Sequence, residues 1–348
     1  DNTILGIDST NNTLGHRFHS KGVLALTHAD NYQSTLIDQG HVIPNFAERR
    51  SKIQQQISKL AESVSGNIED DPALLDEVTG LVEHPTSVLG NFDPDFLQVP
   101  QECLISAMRD HQKYFHIVDN NGKLLPNFIT VSNIVSKEPQ RVIVGNERVL
   151  RARLSDAQFF WQTDQKITLS SRVDNLGSVL FHVKLGSVLD KTKRLEALTD
   201  KISQRIGADS KIATRAAHLA KADLLSDMVG EFDKLQGLMG RYYANNDGEP
   251  ELVADCIEQH YWPKFAGDQL PCSAEAQSLA LADRLDSLLG LFASKEIPTG
   301  DKDPYGLRRA ALSVLRILIE HDHDLALPEL VSDSAEVYRS FQDIQIDT

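Results

Sequence analysis

LDKTKRLEALTDKISQRI, residues 189–206, sets the architecture of the second half of the chain. Leu195, Leu198, Ile202 and Ile206 recur at helical spacing and define one apolar face. Gly207 ends this helix and Asp209 is placed to cap the next, whose stripe is Ile212, Ala216, Leu219 and Ala220. Asp223 falls on that same stripe, where it needs a partner, because a bare buried carboxylate is costly. Downstream, Ala274 to Phe292 brings Leu281, Leu285, Leu288 and Phe292 into register. Asp303-Pro304 opens a last helix with Leu307, Ala311, Val314, Leu315 and Leu318 facing inward. Strand signals fade from about residue 165, so this half reads as all-helical.

The first half alternates strands and helices. Gly22 to Thr27 is a short strand. Phe46 to Val64 is a helix with Ile53, Ile57, Leu60 and Val64 on one side, ended by Gly66-Asn67. Asp71-Pro72 starts a second helix with the stripe Leu74, Leu75, Val78, Leu81 and Val82, stopped by Pro85. Thr86 to Phe92 reads as a strand and Pro100 to Asp110 as a helix. Tyr114 to Val118 and Phe128 to Val131 read as strands joined through Asp119-Asn120-Asn121-Gly122. Helix resumes near Pro139. The expectation is an α+β domain over residues 1–163, an all-α domain over 164–331, and the start of a further helical segment or linker over 332–348.

The 348 residues suit two domains, each able to bury its own core. The 35 basic and 50 acidic residues give a net charge of −15, which argues against nonspecific nucleic-acid binding but leaves room for a local basic stripe. Three cysteines, an odd number with no CxxC pair, speak against a disulfide framework and for a reducing cytosol, with Cys103 and Cys256 in apolar stretches. No apolar run is long enough to span a membrane, and the opening ILGIDST reads as a strand entered without a leader. The first residue is Asp rather than Met, so the sequence reads as part of a longer protein.

No P-loop, HExxH, GxSxG or GxGxxG motif occurs. His321-Asp322-His323 resembles a metal cluster only superficially, because a metal needs three or four converging ligands, and a solvated helix end accounts for it better. His16-Arg17-Phe18-His19 is a short basic stretch, read as a surface loop ahead of a phosphate contact. Stronger basic groups are Arg141, Arg148, Arg151 and Arg153, then Arg109, His111 and Lys113 beside Tyr114 and Phe115, then Lys302, Arg308 and Arg309 around a helix start. Arginine suits phosphate through its planar fork, cations beside aromatics suit RNA, and a helix N-terminus receives anions. Pairing with some of the 50 acids is the competing reading for all three groups.

Six stretches resemble, in order, the β chain of the two-α, two-β type of glycyl-tRNA synthetase. They are GHRFHS at 15–20, LVEHPTSVLGNF at 81–92, MRDHQKYF at 108–115, NGKLLPNFITVSNI at 121–134, GNERVLRARLSDAQFFW at 145–161 and GDKDPYGLRRAALSVLRIL at 300–318. The resemblance implies a ligase in which the α subunit makes the adenylate with ATP and Mg, and the β subunit binds the tRNA for glycine within a cytoplasmic heterotetramer holding a second β subunit. It implies an internal piece, lacking an N-terminal portion and the C-terminal anticodon-binding domain, with no catalytic residue or cofactor of its own. The tRNA contacts expected are Arg109, Lys113, Arg148, Arg151, Arg153, Lys302, Arg308 and Arg309. The first half is similar to a module of the phenylalanine enzyme's tRNA-binding subunit.

The helical half resembles a degenerate HD phosphohydrolase. Asp223 matches the Asp of the His-Asp pair, Ala222 stands at its His, Asp283 at the later Asp, and Lys191 near the first His. With both imidazoles gone no metal is expected, and Lys191 or Arg194 is expected to serve the two carboxylates. His218, one turn before Ala222, keeps open the alternative of a metal-dependent phosphohydrolase acting on nucleotides or RNA ends.

Overall fold

The computed structural model describes residues 10–341, together with the backbone of residues 3–4 and 7–8. The ILGIDST reading falls mostly outside the described residues; there Thr3–Ile4 (β1) pairs antiparallel with Ile7–Asp8 (β2). The chain divides into two compact units between Phe159 and Phe160.

The first unit holds a hairpin of Asn12–Leu14 (β3) and Val23–Ala25 (β4), then Tyr32–Asp38 (α1), Phe46–Glu62 (α2) and Pro72–Leu81 (α3). A three-stranded antiparallel sheet follows from Thr86–Asn91 (β5), Phe115–Val118 (β6) and Leu124–Ser132 (β7), with β7 in the centre. Gln101–Ser106 (α4) lies between β5 and β6, and Pro139–Asp164 (α5) follows the sheet. Ile53, Ile57 and Ala61 of α2 and Leu74, Leu75 and Val78 of α3 pack on Phe115, Ile117 and Ile129 of the sheet. Leu81, counted in the α3 stripe, is instead 64% exposed: it is the last residue of the helix, and the next inward position is Val82 in extended backbone. Asp71 accepts from Leu74 N, so Asp71-Pro72 does open the helix. At the end of α2 it is Ser65, not Gly66, that takes a left-handed φ of 57°. Gly66 answers a need for space, because a Cβ there would lie 2.3 Å from Ile117. Gly90 is similar, since it sits opposite Phe128 in the β5–β7 register and the ring lies over it.

The second unit is helical apart from a small hairpin, Leu180–His182 (β8) with Gly186–Ser187 (β9), that sequence periodicity did not reveal. Its helices are Leu169–Arg172 (α6), Val188–Ile206 (α7), Ser210–Leu219 (α8), Asp227–Glu231 (α9), Leu238–Asn246 (α10), Glu251–Gln259 (α11), Ala274–Ala293 (α12), Leu307–Glu320 (α13) and Leu327–Phe341 (α14). A capping box between Ser187 and Asp190 starts α7, and Gly207 ends it in the left-handed region. α12 is buried on nearly every side and α7 packs on α8, α12 and α14. Two expected inward residues lie outside: Phe292, near the end of α12, and Leu315, whose place in α13 is taken by the fully buried Ile317. α14 packs on α7 and α12, and residues 342–348 lie outside the described residues.

Candidate functional site

The centre of the second unit is a chain of buried charges. Lys191 on α7 is 2.9 Å from Asp283 Oδ1 and 3.2 Å from Asp286 Oδ2, both on α12, and donates to Ser287 Oγ at 2.7 Å. Arg194, one turn further along α7 and wholly buried, binds Asp286 at 2.6 Å through Nε. Lys221, which follows α8, reaches Asp283 Oδ2 at 3.1 Å and His260 Nε2 at 2.8 Å. His260 Nδ1 faces the Ile257 carbonyl at 2.6 Å, which only accepts, so Nδ1 carries the proton and Nε2 receives from Lys221. Each cation also rests on an aromatic face: Lys191 over Phe181 at 4.6 Å, Lys221 over Tyr261 at 4.2 Å and Arg194 over Tyr338 at 4.5 Å.

The titration of these groups follows their neighbours. Burial alone raises a carboxyl, but Lys191 and Lys221 hold Asp283 well below the usual carboxylate range. Burial likewise lowers an ammonium; Lys191, which has both Asp283 and Asp286, stays above the ordinary lysine value. Lys221 falls below, because burial and the repelling Lys191 outweigh Asp283 and the more weakly acting Asp223. Burial and the Lys221 charge keep His260 neutral.

Asp223 stands apart from this chain. It lies in the 3-10 turn Ala222–Leu225 after α8, fully buried. Neither Lys191 nor Arg194 serves it. Its Oδ2 accepts from the amides of Gly237 at 2.5 Å and Gly240 at 3.2 Å, and its Oδ1 has no partner among the described residues. Gly237 allows this with a φ of 82° and by leaving room for the Tyr261 ring. Burial pushes the Asp223 carboxyl from the ordinary 3.8 up to about 6. A raised folded value means that the fold prefers the protonated acid, so stability from this group is complete below pH 3.8 and lost as pH rises through about 6. A shift of roughly two units corresponds to about 3 kcal/mol. Asp223→Asn is therefore expected to remove an unfolding-energy slope of that size between about pH 4 and pH 8, measured as the urea-unfolding difference from the unsubstituted chain.

The remaining residues singled out by sequence are dispersed. Ala222 is buried and offers no ligand, and His218 meets Glu196 at 2.8 Å. Among the described residues no group of three or more His, Cys, Asp or Glu is arranged to hold a metal. His323 hydrogen-bonds Gln277 at 2.7 Å. The thiols of Cys103 and Cys256 are buried, and burial pushes the Cys256 thiol up to about 12.

Of the basic groups, Arg109 contacts Asp110 at 3.4 Å and Asp71 at 4.0 Å, and Lys113 pairs with Glu77 at 3.0 Å. Acid pairing thus describes this group. The start of α13 is likewise occupied: the Asp303 carboxylate accepts from Leu307 N at 2.8 Å and Arg308 N at 2.9 Å, taking the amides that an incoming phosphate needs. Arg309 donates to the Lys264 carbonyl, while the Lys302 and Arg308 side chains are exposed. On α5, Arg148, Arg151 and Arg153 are exposed, and Arg141 pairs with Glu138. Arg148 flanks a shallow surface depression with Gln140, Val144, Gly145 and Val149.

Lys221, Asp286, His260 and Ser287 belong to the charge chain but escaped the sequence reading. One signal was available: Asp286 lies three residues beyond Asp283, one turn along the same helix face. Arg284 was also missed; it donates to the carbonyls of His260, Tyr261 and Trp262 and so fixes the segment that carries His260.

Comparison with known proteins defines the class first: the matching proteins are aminoacyl-tRNA synthetase subunits. The family model described as glycyl-tRNA synthetase beta subunit matches residues 1–347, and the chain belongs to that family. The glycine–tRNA ligase beta subunit of Aromatoleum aromaticum is 54% identical over 333 residues, 96% of this chain and 48% of the relative. That of Neisseria meningitidis serogroup C is 51% identical over 323 residues, 93% of this chain and 47% of the relative. That of Hahella chejuensis is 49% identical over 338 residues, 97% of this chain and 49% of the relative. The chain spans about half the length of these relatives. Among the described residues no helix is long and apolar enough to cross a membrane.

Proposed function

We propose that this chain is a noncatalytic, tRNA-holding portion of a glycine–tRNA ligase β subunit, supporting glycine transfer on a partner α subunit that binds ATP and Mg, in a cytoplasmic assembly with a second β subunit. The observation that carries the tRNA reading is the solvent side of α5, where Arg148 and Arg151 are exposed and meet no acid among the described residues. On a protein of net charge −15 such a strip attracts a phosphate backbone that the rest of the surface repels. Phosphate contacts fix the orientation of an RNA without reading its sequence, and orientation makes attack by its terminal ribose effectively intramolecular.

The helical unit is, in this reading, an HD-like scaffold without its metal chemistry. Asp283 supplies the carboxylate, and the ammonium groups of Lys191 and Lys221 take the place of the cation. Asp223 is turned to the backbone of Gly237 and Gly240. This arrangement favours a pseudo-enzyme over the phosphohydrolase reading.

The test is a salt titration of tRNA affinity. Arg148→Ala with Arg151→Ala is expected to weaken binding and to lower the slope of log affinity against log salt by about one for each phosphate that the variant no longer neutralises. The substitutions are made both in this chain and in the intact ligase. An unchanged slope and affinity in both overturns the role of α5 in holding RNA.

A further inference from the structure

We propose that four histidines in the first unit form an acid-sensitive clasp, which holds residues 15–41 against the sheet while the imidazoles are neutral and releases them when the rings take up protons. His16 and His19 come from the turn between β3 and β4, His41 follows α1, and His84 lies between α3 and β5. Their rings converge: His16 stacks on His19 at 4.7 Å, His19 lies 5.3 Å from His84 and 5.9 Å from His41, and His84 is 6.1 Å from His16 and 6.0 Å from His41.

The hydrogen bonds fix the protonation state. His16 Nδ1 accepts from Phe18 N at 3.2 Å, and His19 Nε2 accepts from Val135 N at 3.0 Å, beyond the end of β7. A ring nitrogen that accepts an amide proton must keep its lone pair, so each hydrogen bond exists only while that nitrogen is unprotonated. Protonation would set N–H against N–H and break both hydrogen bonds. His16 is 1% exposed, and His84 Nδ1 is buried with no partner among the described residues. The same turn is fastened through His16 N to the Gly40 carbonyl at 2.7 Å, so residues 15–20 and 40–41 move as one piece.

The charges facing the cluster oppose its protonation. Burial comes first in lowering both His19 and His84 below the usual imidazole value of 6.5. His16 and His41 act next on His19; Lys52 of α2, His19 and His16 act on His84, and only the His41 backbone favours its charged form. A lowered folded value means that the clasp contributes fully above pH 6.5 and loses strength as pH falls through the lowered values. Opening lets both His19 and His84 take up a proton, so the release is steeper than for a single ring.

Amide exchange on the 348-residue chain, corrected for intrinsic rate, tests this. Between about pH 7.5 and pH 5, the Phe18 and Val135 amides are expected to lose roughly tenfold or more of their protection while Ile129 in the sheet keeps its own. Imidazole NMR titrations should place the His19 and His84 midpoints below 6.5. His84→Gln, which keeps a polar side chain without a titrating ring, should make the pH dependence of Phe18 and Val135 shallower. The NMR titration of the unsubstituted chain stands even where that variant fails to fold. Protection that is equal at both pH values, or lost equally throughout the unit, overturns the proposal. So do midpoints at or above 6.5, or stoichiometric zinc binding that His84→Gln abolishes, which would make the cluster a metal site.

Discussion

Asp286→Ala lowers the stability of the helical unit by about 3–5 kcal/mol, the loss expected when one partner of a buried ion pair is removed. Asp286 is 1% exposed and takes both Arg194, which is wholly buried, and Lys191. Without it the guanidinium is left with the Leu185 carbonyl at 3.3 Å and Tyr338, neither of them a carboxylate. Lys191 retains Asp283, so the uncompensated charge falls on Arg194. Urea unfolding of the single variant measures the cost. The double variant Arg194→Met with Asp286→Leu should recover most of it, because an apolar pair of similar volume often replaces a buried ion pair at little cost. If the double variant is as damaged as the single one, packing rather than stranded charge explains the loss.

Asp164→Ala is expected to be as severe, again about 3–5 kcal/mol. The Asp164 carboxylate accepts from Arg172 Nη2 at 3.0 Å, from the amides of Asp227 and Met228 at 3.0 Å each, and from the Tyr243 hydroxyl at 2.8 Å. It thereby caps the first turn of α9 from a distant part of the chain and compensates a buried guanidinium. Asp164→Asn keeps one accepting oxygen and should cost about half as much. Denaturant unfolding of the two variants separates them, and equal effects would mean that the charge rather than the oxygens matters.

What the sequence made legible was local. Ile53 and Ile57, Leu74 to Val78, and Leu195 to Ile202 declared their helices through spacing, because one turn of a helix is all that such a signal needs. Asp71-Pro72 and Asp209 declared their caps for the same reason. The buried charges were much less visible. Arg194 and Asp286 are 92 residues apart, Lys221 and Asp283 are 62 apart, and no periodicity links them. Which cations meet an acid was not legible either: Arg109 and Lys113 reach Asp110 and Glu77, Asp303 takes the first amides of α13, and Arg148 and Arg151 stay exposed. The histidines at 16, 19, 41 and 84 become a group only through folding.

The two ammonium groups at Asp283 have a consequence for how the protein meets its surroundings. A dissociable ion obeys mass action and leaves when its free concentration drops or a chelator competes. A counterion carried on a lysine stem is covalently tethered and cannot diffuse away. The charge that neutralises Asp283 thus arrives with the fold itself.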